Sequence, residues 1–364
     1  MTVGPRVVMV AAAMIAAAAL GGCSPDRSSR DESPADRFPP DQPSPAARIS
    51  AIAGYVVPWD ERSPAAAASV EELTEVNPVW FQPTDSGGVA FASDTAELDA
   101  QRTGSQRDRM APTISNFRNG AWDGELVARL VGDENRRAVH VAAITTLVRD
   151  GGWRGVDIDY ESLPEASRDA YSAFIRELAA ALHALPTPAR LSVALHAKTA
   201  EPGDWHGSRA QDWAAIGAAA DEVRLMAYDH ATASSAPGPI APLSWVERVF
   251  TLATASIPLD RISAGLPTYG YDWAQHADGV AVQWADVQAI ASQHGATPQW
   301  DQEASAPWLR YVDVRGREHT VWYEDGRALA AKLDLARRHG ISRVALWRLG
   351  GEDPAVWSAL NAAR

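Results

Sequence analysis

The segment GVDIDYE at residues 155–161 decides the fold. In a β-strand alternate side chains share a face, and positions two residues apart are separated by about 6.6 Å. Asp157, Asp159 and Glu161 therefore point to one side of the strand, and the residues between them point to the other. In a closed parallel barrel the carboxylates would face the axis, and Glu161 would lie at the C-terminal end of the strand, where barrel active sites are found.

Three inward carboxylates are costly to remove from water, and they repel one another. At least one of them is therefore expected to hold a proton near neutral pH, which is what a general acid requires. A calcium loop also uses alternating acids, but it needs Gly after the third ligand and an acid at the twelfth position, where this chain has Ser162 and Arg168. A solvated acidic edge fits poorly with Val156 and Ile158. The pattern favours catalysis.

Short apolar strand-like runs alternate with Ala- and Leu-rich helical stretches along the rest of the chain. This alternation is typical of βα units and a parallel sheet. A doubly wound open sheet would give the same alternation, so periodicity alone leaves that alternative open. Helical stretches are expected at 133–150 and 164–185. The eight strand candidates are residues 50–57, 75–82, 109–116, 155–160, 190–196, 222–228, 261–267 and 343–347.

The gap between the seventh and eighth strand candidates is too long for a single helix. It contains a helical run at 284–293 and two alternating runs, 309–313 and 319–323, joined through Arg315-Gly316. Two alternating runs around a Gly-containing turn predict a hairpin. We therefore predict an α/β fold, a (β/α)8 TIM barrel, with a small α+β insertion at about 277–325 between strands 7 and 8.

Four segments resemble those of family 18 glycoside hydrolases. The segment 154–161 is similar to the family signature Asp-Gly-x-Asp-x-Asp-x-Glu on the fourth barrel strand. The segment 226–229, MAYD, is similar to the family's Met-x-Tyr-Asp on strand six. GLPTYGYDW at 265–273 and LWRLGGED at 346–353 resemble its strand-seven and strand-eight segments, the latter in the branch with cell-wall and spore-wall hydrolases. The resemblance extends over nearly all of residues 50–357.

The resemblance implies a retaining hydrolase of β-1,4-linked, N-acetylglucosamine-containing glycans, in which the substrate's own acetamido oxygen replaces the usual nucleophilic carboxylate. Glu161 would protonate the leaving oxygen and then act as the base on water. Asp159 would orient the acetamido group, and Asp157 would share a proton with Asp159. Tyr228 would hydrogen-bond the acetamido oxygen. The expected substrate-binding residues are Met226, Asp229, Trp347, Tyr269 and Trp273.

Ordinary core packing is the alternative for these aromatic residues and for Met226. Among the 14 tryptophans, Trp59 and Trp122 are further candidates for sugar stacking. Arg154 stands where the family has its first Asp, and we expect it to pair with Asp157. Peptidoglycan and chitin are the expected substrates. The alternatives are a non-catalytic glycan-binding relative, which typically lacks the glutamate, and a hydrolase of the N-glycan chitobiose core.

The N-terminal residues have the pattern of an export signal. Arg6 precedes the apolar run 7–20, and LGGC at 20–23 resembles the lipobox of bacterial lipoproteins. We therefore expect residues 1–22 to be a signal peptide and Cys23 to be acylated. Residues 23–48 are expected to form a disordered, Pro- and Ser-rich tether. It would hold the barrel, residues 49–364, at the outer face of the cytoplasmic membrane.

Composition excludes several other classes of function. The net charge of −13 disfavours binding to nucleic acid. Cys23 is the single cysteine, so neither an intramolecular disulfide nor a cysteine-based metal site can form. We expect no cofactor and no metal, a polysaccharide as the main partner, and a monomer.

Overall fold

The computed structural model describes residues 47–97 and 107–364. The predicted signal peptide, Cys23 and all but the end of the tether lie outside the described residues. Eight parallel strands form a barrel: β1 (Ala51–Val56), β2 (Glu75–Pro83), β4 (Thr113–Ser115), β7 (Gly155–Asp159), β8 (Arg190–His196), β9 (Glu222–Met226), β10 (Ile262–Pro267) and β16 (Arg343–Trp347). Their spatial order is β1, β16, β10, β9, β8, β7, β4, β2, and a short strand, β3 (Val89–Phe91), pairs antiparallel with β2.

The barrel is closed because β1 pairs in parallel with both of its neighbours. Ala53 is opposite Ala345 of β16 on one side and opposite Glu75 of β2 on the other. The open doubly wound sheet is thereby excluded, and each of the eight strand candidates overlaps one barrel strand. The third is shorter than predicted, because Arg107–Arg109 forms a 3₁₀ turn and β4 begins only at Thr113.

Helices surround the barrel, and in the described residues none is long and apolar enough to cross a membrane. The carboxylate of Asp133 caps the longest helix by accepting a hydrogen bond of 2.9 Å from the Arg136 backbone N–H. The helix ends at Gly152, whose φ of 63° suits glycine. The helices are Arg62–Ser69, Gly124–Gly132, Glu134–Gly151, Arg168–His183, His206–Arg209, Trp213–Ala219, Leu243–Ser256, Trp284–His294, Gly326–Arg338 and Ala355–Ala363.

Strand β7 has the predicted alternation of faces. Val156, Ile158 and Tyr160 are buried in the layer between strands and helices. The Tyr160 hydroxyl lies 2.8 Å from Nε2 of His140, which is on a surrounding helix. Asp157 and Asp159 occupy the opposite face, inside the barrel, and are 0% and 5% exposed. The apolar side chains therefore fix the strand's orientation and with it the inward direction of the carboxylates.

The insertion between β10 and β16 contains a five-stranded antiparallel sheet in the order β12, β11, β15, β14, β13 and one helix, Trp284–His294. The predicted hairpin is confirmed, because β14 and β15 pair around Gly316. The predicted start near residue 277 is too late. Thr268 alone separates β10 from β11, so the chain passes from the barrel into the insertion sheet without a loop that would mark the boundary. The strands are β11 (Tyr269–Ala274), β12 (Gly279–Gln283), β13 (Gln299–Asp301), β14 (Ala306–Val312) and β15 (Glu318–Trp322).

Candidate active site

A cavity of 410 Å³ opens at the C-terminal ends of the barrel strands. Its wall is formed by side chains of β1, β7, β8, β9 and β16, of the loops that follow β7, β8 and β9, of one hairpin and of the helix Leu243–Ser256. Six of the predicted catalytic and substrate-binding residues line it, and the structure brings them together: Asp159, Glu161, Met226, Tyr228, Asp229 and Trp347. Asp157 lies on the same face of β7, two residues before Asp159.

Asp157 is surrounded by hydrogen-bond donors. Its Oδ2 accepts from the hydroxyls of Tyr55 at 3.0 Å and Thr113 at 3.1 Å. Its Oδ1 accepts from the Ser192 hydroxyl at 2.6 Å and lies 3.2 Å from Nη1 of Arg224. Burial raises the pKa of Asp157, and Arg224 opposes that rise. Four donors on two oxygens match an ionised carboxylate, which can only accept. We therefore assign the negative charge in this row to Asp157.

Arg224, on β9, is the buried cation of the barrel interior, and its side chain is 2% exposed. It forms ion pairs with Glu75 and, at 3.2 Å each, with Asp157 and Glu222. Burial of a carboxylate is tolerated when an opposite charge and hydrogen bonds compensate it. Sequence reasoning missed Arg224. The available signal was the alternation of Glu222, Arg224 and Met226 on one face of the sixth strand.

Arg154 does not pair with Asp157, so that prediction was wrong. Its side chain is exposed, and Nη1 donates to the Thr74 carbonyl oxygen at 3.3 Å. The reason is the alternation of side chains along a strand. Residue 154 has the outward orientation of Val156, and it lies before β7 begins. The substitution of the family's first acid therefore leaves the inward carboxylate row unchanged.

Asp159 and Glu161 have environments unlike that of Asp157. Burial, together with the charge of Asp157, raises the pKa of Asp159 to about 8. Burial and the charges of Asp159 and Asp229 hold the pKa of Glu161 well above its ordinary value. Oδ1 of Asp159 has no hydrogen-bond partner within the described part of the chain. The Asp159–Glu161 pair therefore holds at least one proton at neutral pH.

The backbone of Glu161 is fixed by a residue that sequence reasoning did not single out. Oδ1 of Asn116, just after β4, accepts from the Glu161 N–H at 2.8 Å, and Nδ2 donates to the Glu161 carbonyl oxygen at 2.9 Å. Ser162 follows in the left-handed region with φ 56°. These two hydrogen bonds, the Asn116 clasp, hold the backbone just after β7. They thereby fix the position from which the Glu161 side chain enters the cavity.

Tyr269 and Trp273, predicted to bind substrate, do not lie on the cavity wall. Both are on β11 and are 6% and 2% exposed. The Tyr269 hydroxyl donates to Oδ1 of Asp229, which also accepts from Tyr271 at 3.2 Å. Because strand β11 turns into the insertion sheet, these aromatic rings form a layer behind Asp229. Burial raises the pKa of Asp229 to about 6, and the two tyrosines oppose the rise.

Of the other three tryptophans predicted as candidates for contact with a sugar ring, two line the cavity and one does not. Trp347 lines the cavity at the end of β16, and its ring meets that of Tyr55 edge-on at 5.3 Å. Trp122 also lines it, on a two-stranded hairpin, β5 (Phe117–Arg118) and β6 (Ala121–Trp122), that turns through Asn119-Gly120. Trp59 is 43% exposed and is not part of the wall. Of the two further stacking candidates, only Trp122 is at the site.

His196, Trp205 and Trp245 line the cavity and were missed by the sequence reasoning. His196 is the last residue of β8, and the C-terminal end of a barrel strand is where functional residues lie. That position was the available signal. Trp205 precedes the short helix His206–Arg209 and Trp245 lies in the first turn of the helix Leu243–Ser256. Nothing in the sequence of either segment separated these residues from core tryptophans. In the described residues, no group of three or more His, Cys, Asp or Glu side chains could hold a metal ion.

Comparisons with known proteins agree with this geometry. The sequence pattern of the family "Glycosyl hydrolases family 18" matches residues 51–352. A cortical fragment-lytic enzyme of Bacillus subtilis (strain 168) is 33% identical over 266 residues, which cover 71% of this chain and 61% of that enzyme. The chain thus spans about three-fifths of that curated relative's length.

Two solved structures are similar in fold. The Bacillus cereus spore cortex-lytic enzyme SleL superposes with a TM-score of 0.78 and 25% identity, covering 87% of this chain and 75% of that chain. A chitinase from Chromobacterium violaceum superposes with the same TM-score of 0.78 and 29% identity, covering 86% of this chain and 98% of that chain. The likeness therefore extends over more than four-fifths of the chain.

Asp159→Asn should gain stability relative to the wild type as the pH rises. The folded-state pKa of about 8 lies above the ordinary 3.8, so the folded state holds its proton more tightly than the unfolded state. The resulting stability is present below the ordinary pKa and is lost as the pH rises through the folded-state pKa. Asparagine does not titrate. Urea unfolding between about pH 4 and about pH 9 measures the difference.

The control is Asp278→Asn, which changes an exposed carboxylate away from the cavity. Its stability difference from the wild type should stay nearly constant over the same pH range. A pH-independent difference for Asp159→Asn as well would contradict the elevated pKa.

Proposed function

The chain belongs to family 18 of the glycosyl hydrolases, and from this membership and the geometry of its cavity we propose that it hydrolyses glycans containing N-acetylglucosamine. The bonds cut would be β-1,4 linkages, with retention of configuration. The observation that carries the proposal is the carboxylate row on β7. Burial and neighbouring carboxylates hold the pKa of Glu161, which lies in the cavity, well above its ordinary value, and Asp157, deeper in the row, accepts from Ser192 and is ion-paired with Arg224.

The row supplies the groups needed for a substrate-assisted reaction. In the first step the acetamido oxygen of the substrate attacks the anomeric carbon, the glycosidic C–O bond breaks, and Glu161 gives its proton to the leaving oxygen. The resulting oxazolinium ion carries a positive charge beside Asp159. The unpartnered Oδ1 of Asp159 supports a role in accepting a hydrogen bond from the acetamido N–H. In this assignment burial and the fixed charge of Asp157 together raise the pKa of Asp159.

In the second step Glu161, now a carboxylate, takes a proton from water. The water oxygen attacks the anomeric carbon, the bond to the acetamido oxygen breaks, and the substrate regains its acetamide with the original configuration. Tyr228 would hydrogen-bond the acetamido oxygen, and Met226 and Asp229 would line its pocket. Trp347 would form the apolar floor beneath the sugar, since an indole face suits a pyranose face. All four residues line the cavity.

The substrate class is proposed from the relatives. A cortical fragment-lytic enzyme and a chitinase are both similar to this chain, which supports peptidoglycan or a chitin-like polymer. Product analysis on purified peptidoglycan, chitin oligomers and a high-mannose glycopeptide, side by side, distinguishes these substrates from the N-glycan core. Binding without products from any of the three would favour the non-catalytic alternative.

Glu161→Gln should abolish most of the activity while leaving the fold intact. The amide keeps the shape of the side chain but cannot donate the proton, and general acid catalysis contributes roughly 10²- to 10⁴-fold. Because Glu161 serves both steps, we expect kcat to fall by about the upper value. The assay is reducing-end release from whichever glycan the wild type cuts. The matched control, Glu247→Gln on the exposed side of a surrounding helix, should retain wild-type kcat.

Fully de-N-acetylated substrate provides the second half of this test, because a free amine removes the internal nucleophile. Wild-type enzyme should bind such a substrate without cutting it. Efficient cleavage of it would contradict the substrate-assisted route, and near-normal turnover by Glu161→Gln would contradict the assignment of the proton donor.

We also propose, from the sequence alone, that the protein is exported and anchored by a lipid on Cys23. Two acyl chains anchor a protein stably to a membrane, whereas one chain does so only marginally. Expressed in a bacterial host, Cys23→Ala should yield a soluble or unprocessed precursor, while the wild type partitions into the detergent phase on phase separation. Equal partitioning of the two proteins would contradict the anchor.

A further inference from the structure

His196 occupies a position beside the proposed proton donor. It is the last residue of β8, and its Nδ1 lies 3.7 Å from Oε2 of Glu161. The two side chains are 10% and 16% exposed. The imidazole edge packs against the ring of Trp205 at 4.6 Å, and the backbone N–H donates to Oε1 of Gln211 at 2.7 Å. Backbone and ring are therefore both held, and the ring has one nitrogen toward Glu161.

The second ring nitrogen identifies the tautomer. Nε2 of His196 is buried and has no hydrogen-bond partner among the residues that the structure describes. A buried N–H without an acceptor is rarer and costlier in proteins than a buried acceptor without a donor. The proton of the neutral ring is therefore assigned to Nδ1, which is the nitrogen nearer Glu161. His196 thus presents an N–H donor to the Glu161 carboxyl group.

We propose that His196 is a positioning residue that donates its Nδ1–H to Glu161 whenever Glu161 is a carboxylate. The proposal rests on the proposed function, in which Glu161 is an acid in the free enzyme and a carboxylate between the two steps. The present 3.7 Å is longer than a hydrogen bond. Closing it to about 2.9 Å requires a movement smaller than one bond length. Such contacts often tighten only during catalysis.

The ionisable groups around Glu161 and His196 determine the charge that each side chain carries. Asp159 and Asp229 face Glu161 with like charge, and Tyr228 lies nearby. His206 and Lys198 face His196, and Lys198 is itself paired with Glu201 at 2.9 Å. Burial, with His206 and Lys198, lowers the pKa of His196 to about 3. The ring is therefore neutral throughout the range in which glycosidases are assayed, and it donates without carrying a charge.

A hydrogen bond to the carboxylate form favours that form and lowers the pKa of Glu161 against the effect of burial. The basic limb of the kcat/KM profile reports the loss of the Glu161 proton in the free enzyme. Removing the donor should therefore raise the pH at which that limb falls. A residue that only packs against Trp205 would leave the limb in place, so the pH profile separates the two roles.

The test compares His196→Leu with His196→Asn. Asparagine can place an N–H close to the position of Nδ1, whereas leucine fills the space without a donor. For His196→Leu we expect the basic limb to move upward by about one pH unit, as for the loss of one hydrogen bond to a charged group. The accompanying fall in kcat should be about tenfold. His196→Asn should restore the wild-type limb, and the control His183→Leu, at an exposed site on a surrounding helix, should not move it.

An unmoved basic limb in His196→Leu, or a limb that moves equally in both variants, would overturn the proposal. A measurement on the wild type avoids any failure of the variants to fold. ¹⁵N NMR of the histidines should show His196 neutral with the proton on Nδ1, and a proton on Nε2 would equally overturn it. Wild-type protein that cuts none of the glycans would refute the proposed function instead, and the NMR result would still decide the tautomer.

Discussion

The ion pair between Arg224 and Asp157 is the interaction on which the barrel interior depends. Its two members lie on β9 and β7 and are almost completely buried. The guanidinium group also meets Glu75 and Glu222, so one cation lies among three carboxylates. With three hydroxyl donors completing its shell, Asp157 can stay ionised in a place where burial would otherwise neutralise it. Burial and that fixed charge together raise the pKa of Asp159, and burial with the charges of Asp159 and Asp229 raises that of Glu161.

The number of groups that compensate a negative charge therefore decreases along the inward face of β7, from Asp157 to Glu161. At its deep end the carboxylate has four donors, and at its upper end the carboxyl group has a backbone clasp from Asn116 but little compensation for its charge. The row therefore holds its proton on the Asp159–Glu161 pair, at the end that opens into the cavity. Asp229 faces the same space from the loop after β9, and tyrosines of the insertion sheet hold it from behind. The insertion thus contributes to the cavity through residues that do not touch its wall.

The sequence predicted the barrel well because apolar strand-like runs and helical stretches alternate along it. Strict alternation over 155–161 predicted which side chains face the axis, and each of the eight strand candidates overlaps a barrel strand. Glu161, Met226 and Trp347, at or just after strand ends, lie on the cavity wall for the same reason. Contacts between distant strands left no local signal. Neither the Arg224–Asp157 pair nor the Asn116 clasp could be read from spacing, and Arg154 does not pair with Asp157 because it has the outward orientation of Val156. Tyr269 and Trp273 lie behind the wall because β11 leaves the barrel with only Thr268 between it and β10.

The protonation of the three carboxyl groups tests this account most directly. ¹³C NMR of side-chain carboxyl carbons, assigned with Asp157→Asn, Asp159→Asn and Glu161→Gln, reports each group separately at about neutral pH. The account predicts a carboxylate signal for Asp157 and a carboxylic acid signal from at least one member of the Asp159–Glu161 pair. That proton should be lost only as the pH rises toward the alkaline range. Three carboxylate signals at neutral pH, or a proton on Asp157, would contradict it.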